Sequence, residues 1–218
     1  DPGEITFNAA ISACEKGAQW ARALELFREM GCRSARPSVV SHNAVISACG
    51  ASSRWERAVA QWEALLSSGL APSTITFNAM ISALAKGHRW REALGLQEEM
   101  PRRKAKPSVI TYSALIGAAG WGGRWQDVLR LLGAMEAASV QPNSFTCSSA
   151  VATLGHSGRW REALAVFDRA GRSGLRRDED CFAAAARVLS RAAQRRIALA
   201  IAAEARGAGG PRPTGRSP

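Results

Sequence analysis

The chain has no run of about 18 apolar residues, so no segment is long enough to cross a membrane as a helix. Its five cysteines are an odd number and include no Cys-x-x-Cys pair. That pattern speaks against a disulfide framework and a zinc knuckle. Cys14, Cys49 and Cys147 read instead as small buried hydrophobes in a reducing compartment. His42, His88 and His156 have no cysteine or acidic residue at metal-ligand spacing, so no metal and no cofactor is expected. Missing too are the acidic cluster of a metal-dependent nuclease, the His-x-Glu with Cys-x-x-Cys of a zinc deaminase, and a nucleophile with a plausible base. Catalysis is therefore not expected of this chain. No secretory or organelle-targeting segment stands at the start. A chain that opens at Asp1, on the approach to its first structural unit, is expected to be a fragment or processed form of a longer one.

What the chain does have is a period. Trp20, Trp55, Trp90, Trp125 and Trp160 recur every 35 residues. Each opens a run such as Trp20, Ala23, Leu24, Phe27, Met30, whose spacing of i, i+3, i+4, i+7 and i+10 draws one apolar stripe along a helix. Trp125, Val128, Leu129, Leu132 and Met135 repeat it. Upstream in each unit a second helical pattern runs Phe7, Ile11, Cys14; His42, Ile46, Cys49; Phe77, Ile81, Leu84; Tyr112, Ile116, Ala119; and Cys147, Val151, Leu154. Two short helices make one unit, too small to bury both stripes alone. Neighbouring units must stack on one continuous core, which predicts an all-α chain, an α-solenoid of about five helix-turn-helix repeats. The tryptophans share the phase of the Ala and Leu behind them and are expected in that core.

Punctuation sets the register. Pro37, Pro72, Pro107 and Pro142 stop the helix before them, and Ser38, Ser73, Ser108 and Asn143 follow as N-caps for the next. In the fifth unit Arg177 replaces the proline while Asp178 keeps the cap. The expected units are residues 4–38, 39–73, 74–108, 109–143 and 144–178. A degenerate capping pair of helices follows over 179–206, and a disordered basic tail over 207–218.

The net charge is +11 and the pI near 10.6, a balance that favours a polyanionic partner. From Arg172 onward stand ten arginines against four acidic residues, so more than half of the excess lies at one end. Such an end attracts phosphates without sequence preference and loses that attraction in salt.

Each first helix carries a second set of residues, roughly 100° or more from the core stripe at 3.6 residues per turn. The sets are Ile5, Asn8, Ser12; Val40, Asn43, Ser47; Ile75, Asn78, Ser82; Ile110, Ser113, Gly117; and Phe145, Ser148, Ala152. Asn competes for its own backbone and forms helix poorly. Its use at one phase in three successive units argues for a purpose other than folding.

The strings Ile5-Thr6-Phe7-Asn8, Ile75-Thr76-Phe77-Asn78 and Val109-Ile110-Thr111-Tyr112-Ser113 resemble the first helix of pentatricopeptide repeats. So do Ala23-Leu24-Glu25-Leu26-Phe27-Arg28-Glu29-Met30 and the closing proline, and the resemblance spans residues 4–178 in 35-residue (P-type) units. It implies a right-handed α-α superhelix that reads single-stranded RNA at one base per repeat. In that family the polar residue of the first helix and the last residue of the same repeat contact one base edge. The resemblance thus assigns base reading to Asn8 with Ser38, Asn43 with Ser73, Asn78 with Ser108, Ser113 with Asn143, and Ser148 with Asp178. The sandwiching residues would be Ile5, Val40, Ile75, Ile110 and Phe145. Lys16 and Lys86 would face the RNA backbone, whereas Ala51, Trp121 and His156 hold that place in the other units. By family correspondence Asn with Ser favours cytosine and next uracil, Ser with Asn adenine and Ser with Asp guanine, giving a track resembling CCCAG.

Helix capping alone would explain the second member of each pair, and the family places both duties there. Arg54, Arg89, Arg124 and Arg159, just before the tryptophans, either supply phosphate attraction or merely solubilise a turn, and the second reading is preferred. The function implied is sequence-selective RNA binding by a monomer in a mitochondrion or plastid, supporting RNA processing, stability, editing or translation. Five bases recur often by chance, so further repeats upstream or a recruited protein factor would have to add specificity. The alternative is an α-solenoid scaffold for another protein, which would put apolar or charged contact residues at the second-face phase.

Overall fold

The computed structural model describes residues 3–33, 35–175, 178–191 and 201. All regular elements among them are helical. First helices are α1 (Glu4–Lys16), α3 (Val39–Ala51), α5 (Thr74–Lys86), α7 (Val109–Trp121), α9 (Ser144–His156) and α11 (Glu179–Arg191). Second helices are α2 (Trp20–Cys32), α4 (Trp55–Ser67), α6 (Trp90–Glu99), α8 (Trp125–Ala137) and α10 (Trp160–Arg172). The chain forms two compact units, Asp1–Gly122 and Gly123–Pro218. Within the first, α1, α3, α5 and α7 pack in succession as one layer, and each second helix packs on its own first helix and on the next. Within the second unit α9 packs on α10 and α11 in the same way.

Local chemistry fixes these boundaries. Ser73, Ser108 and Asn143 cap their helices with side chains that accept from the N–H of Thr76, Thr111 and Thr146. Each threonine hydroxyl accepts in return from the cap residue's own N–H, at 2.9, 2.9 and 3.4 Å. These are reciprocal capping boxes with a hydroxyl in place of the usual carboxylate. Ser38 and Ser41 form the same box, and Asp178 accepts from Cys181 N–H at 3.0 Å. The turns repeat as well. Ala18, Ser53, His88, Gly123 and Gly158 all lie in the left-handed region between first and second helices.

One second helix departs from the pattern. Pro101 ends α6 after ten residues, and a 3-10 turn, Pro101–Arg103, completes the span that α4 and α8 cover as α-helix. Fully buried Ile11, Ile46, Phe77, Ile81 and Ile116 line the first-helix layer of unit one, with Met30 and Leu65 supplied from second helices and Met100 from the cap that ends α6. In unit two Cys147 and Cys181 are buried with their sulfurs 3.0 Å apart, and Phe167 meets Phe182 edge-on at 5.4 Å.

The tryptophans are not core residues as their phase suggested. All five are only half-buried, because each starts its helix, where the stripe has run out to the edge of the layer. Cys14 is likewise half-buried. Three of these indoles are covered by the arginine of the following repeat: Arg54 lies over Trp20 at 5.5 Å, Arg89 over Trp55 at 4.5 Å and Arg159 over Trp125 at 4.2 Å. These arginines, read from sequence as solubilising, are cation–π staples between repeats, each worth about 0.5–1 kcal/mol at such exposure. The first half of the expected closing pair is α11; the rest of it, apart from the buried helical Ile201, and the tail 207–218 lie outside the described residues.

Candidate nucleic-acid interface

Four of the six first helices are nearly free of charge, whereas α1 carries Glu4, Glu15 and Lys16 and α11 two acidic and two basic residues. α3, α7 and α9 contain no Lys, Arg, Asp or Glu, and α5 contains only Lys86. Charge gathers on the second helices, where Arg22–Glu25, Arg89–Glu92, Arg124–Asp127 and Arg159–Glu162 pair at i, i+3. Exposed pairs of this kind contribute at most about 1 kcal/mol each and serve chiefly solubility.

On the first-helix layer the second-face residues stand out by exposure. Among the described residues six large hydrophobic side chains are exposed: Ile5, Val40, Ile75, Ile110, Phe145 and Trp121. Five of these six hold the base-sandwiching phase. Scattered exposed hydrophobes are ordinary; Ile5, Val40, Ile75 and Ile110, recurring every 35 residues beside polar partners on successive helices of unit one, form a surface built by the repeat, and Phe145 holds the same phase in unit two.

In unit one that surface holds an open groove of about 330 Å³. Its floor is Ile75, Asn78, Ser82 and Lys86 of α5, the residues at i, i+3, i+7 and i+11, with Ser47 of α3 on one side and Ile110 of α7 on the other. Close helix approach shapes it: a β-carbon on Gly50 would come within 3.0 Å of Ala83 Cβ. Lys16 and Lys86 are exposed at the ends of α1 and α5.

Of the assigned pairs, the structure joins Asn78 and Ser108 directly. Asn78 Nδ2 donates to Ser108 Oγ at 3.3 Å, and Asn78 Oδ1 accepts from the Thr111 hydroxyl at 2.5 Å. Since Thr111 Oγ1 also accepts from Ser108 N–H, the three residues close a ring of hydrogen bonds that fixes which way the amide points. One Nδ2 proton is left to offer outward. In the two earlier repeats the amide oxygens of Asn8 and Asn43 are buried without a partner, and Asn8 Nδ2 reaches Glu4 at 3.4 Å. Ser148 turns its hydroxyl onto the Phe145 carbonyl at 3.1 Å, while Asp178 serves α11 as its cap. The Ser113 hydroxyl donates to the Val109 carbonyl at 2.7 Å; Ser113 and Asn143 belong to different units.

Sequence reasoning missed one polar pair inside the layer. His42 is buried and hydrogen-bonded to Gln61 at 2.8 Å, and Phe27 meets its ring edge-on. Burial holds its imidazole below the usual value of 6.5. Among the repeats only the second carries Gln at this place, opposite Leu26, Leu96, Leu131 and Val166, and that was the available signal. Burial likewise pushes the Cys49 thiol up to about 11, which leaves it a packing group with little thiolate. Among the described residues no three His, Cys, Asp or Glu side chains gather as a metal site.

The sequence profile of the PPR repeat family matches residues 2–51, 37–86 and 72–120, and that of the PPR repeat matches 110–140 and 145–175. The chain belongs to the pentatricopeptide repeat family. Solved PPR structures share the fold. The crystal structure of the pentatricopeptide repeat protein PPR10 from maize is 28% identical with a TM-score of 0.71, over 96% of this chain and 30% of that one. PPR10 in complex with an 18-nt psaJ RNA element is 25% identical with a TM-score of 0.62, over 94% of this chain and 33% of that one. The PPR domain of Arabidopsis thaliana protein-only RNase P 1 in complex with tRNA is 13% identical with a TM-score of 0.71, over 82% of this chain and 94% of that one, and shows the fold alone. The chain thus spans about a third of the length of PPR10. No curated protein sequence matches it.

Proposed function

We propose that this PPR chain binds single-stranded RNA sequence-selectively, one base per repeat, and acts by occupying a short site. The observation that carries the reading is the exposed row Ile5, Val40, Ile75, Ile110 and Phe145, each three residues before an Asn or Ser on the same helix face. Bases slot between successive exposed apolar side chains, and the polar residue with the capping residue of the same repeat meets each base edge. The complex of PPR10 with an RNA element supports this use of the repeats. A protein partner would call for charged or broadly apolar contacts, whereas the face between the aliphatic residues carries Asn, Ser and Gly. The chain contributes recognition, and chemistry on the RNA belongs to other proteins. Organellar RNA processing, stability, editing or translation is the setting that the family suggests.

Binding to an RNA carrying CCCAG, against one with the third and fifth bases exchanged, tests the reading across a salt series. A preference of about tenfold or more that survives rising salt is expected, given discrimination on the order of 1–3 kcal/mol per well-read base. Equal binding of both RNAs, abolished by salt, would mean that the +11 charge acts alone and would overturn base reading.

A further inference from the structure

Trp121 is the exposed hydrophobe that the sandwiching phase leaves unexplained, with 74% of its surface open. It ends α7 eleven residues after Ile110 and four after Gly117, which at 3.6 residues per turn puts all three within about 40° on one stripe. The stripe that starts with a sandwiching residue therefore finishes with an indole. In α5 the same place belongs to Lys86, which lines the groove. Helix termination does not ask for the ring, because Gly122 caps α7 through its own N–H to the Ala118 and Gly120 carbonyls.

The indole is nevertheless held. The His88 ring meets it at 5.0 Å and 72°, edge to face. His88 adopts φ 59°, the left-handed conformation that Ala18 and Ser53 share at this turn and that Gly123 and Gly158 reach without a β-carbon. A strained histidine thus braces an aromatic ring that the core does not use.

We infer that Trp121, braced by His88, is a stacking site for one nucleobase of the strand that follows this helix face. The inference rests on the RNA-binding reading. Where Lys86 offers a point charge to phosphate, Trp121 offers a π face, which any base can stack on and which salt does not screen. This contact adds affinity to the fourth repeat with no preference of its own for sequence.

The test uses the full chain and an RNA of CCCAG flanked by adenosines, with a companion set in which each nucleotide in turn is abasic. Trp121→Ala is expected to weaken binding on the order of 5- to 100-fold, with the salt slope and the melting temperature unchanged. Trp121→Phe should lose less. At one abasic position the loss caused by Trp121→Ala should vanish, because the base it stacks on is already gone. Trp121→Lys should recover part of the affinity while steepening the salt slope by about 0.7. If the unaltered chain binds RNA and Trp121→Ala binds as tightly, melts markedly lower, or loses the same factor at every abasic position, the stacking site is refuted and base reading survives. If the unaltered chain binds none of these RNAs, both fall together.

Discussion

Two isoleucines on one helix separate folding from recognition. Ile75 and Ile81 both belong to α5; the first is 68% exposed and the second fully buried. Complete burial of an isoleucine side chain yields about 1.5–3 kcal/mol. About two thirds of that is unrealised at Ile75 in the free chain, so covering it with a base gives about 1–2 kcal/mol, or roughly 5- to 30-fold in Kd. Ile75→Ala should therefore weaken RNA binding by that factor. Its stability should stay within about 0.5 kcal/mol of the parent, because Ala is the better helix former and no cavity opens. Ile81→Ala is the opposite case, losing about 2–5 kcal/mol of stability through the cavity it leaves. Urea unfolding gives the first quantity and fluorescence anisotropy with labelled RNA the second. Should Ile75→Ala bind RNA like the parent, the exposed row is not the base-sandwiching surface, whatever happens to its stability.

Three further perturbations report on separate parts of the molecule. Asp178→Asn keeps the N-cap of α11, since both residues cap well, and should move the fifth base preference from guanine to adenine with little change in melting temperature; competition binding with the two RNAs decides. Gly87→Ala would bring a β-carbon to 2.4 Å from Trp55 Cδ1 while Arg89 holds the ring at 4.5 Å, and should destabilise by about 1–3 kcal/mol in urea. Gly17→Ala, whose nearest neighbour would be 3.7 Å away, should be close to neutral. His42 is neutral in the fold with its proton affinity lowered by burial, so the unfolded chain protonates first. Its contribution is complete above about pH 6.5 and declines as pH falls through the lowered value; the double variant His42→Phe, Gln61→Leu, which restores the residue types of the neighbouring repeats, should flatten that acid limb.

Helix positions were legible because they depend on local rules repeated in phase. Prolines and caps at one spacing fixed where α3, α5, α7 and α9 begin, and the tryptophans fixed where the second helices begin. Burial of those tryptophans was not legible. Periodicity gives the angle of a side chain around its helix but not whether another layer reaches that height, and position one of a helix lies at the rim. The arginines over the indoles escaped for a related reason. Arg54 and Trp55 are neighbours in sequence, yet the ring Arg54 covers is Trp20, and only stacking of repeats brings them together. The short α6 could have been read from Pro101. On the proposed recognition face the exposed apolar residues hold the expected phase, but the different hydrogen bonding of Asn8, Asn43 and Asn78 depends on whether a hydroxyl of the next repeat reaches the amide.

That difference can be tested at Thr111, which ties capping to the orientation of Asn78, a proposed base-reading residue. Its hydroxyl donates to Asn78 Oδ1 and accepts from Ser108 N–H, so Thr111→Val removes both bonds while keeping the shape of a fully buried side chain. Two polar groups lose their partner, and a cost of about 1–3 kcal/mol for each that stays buried is expected in urea. A capping role alone ends there. If the ring of hydrogen bonds also holds the Asn78 amide with its amino group outward, the variant lets the amide turn over and present an acceptor instead of a donor. Discrimination at the third base should then fall, with the first, second and fifth bases read as before. The measurement is relative affinity for RNAs that differ only at that base, made well below the denaturation midpoint. Unchanged third-base discrimination in a destabilised Thr111→Val would show that Thr111 serves the helix and that Asn78 takes its orientation from the RNA.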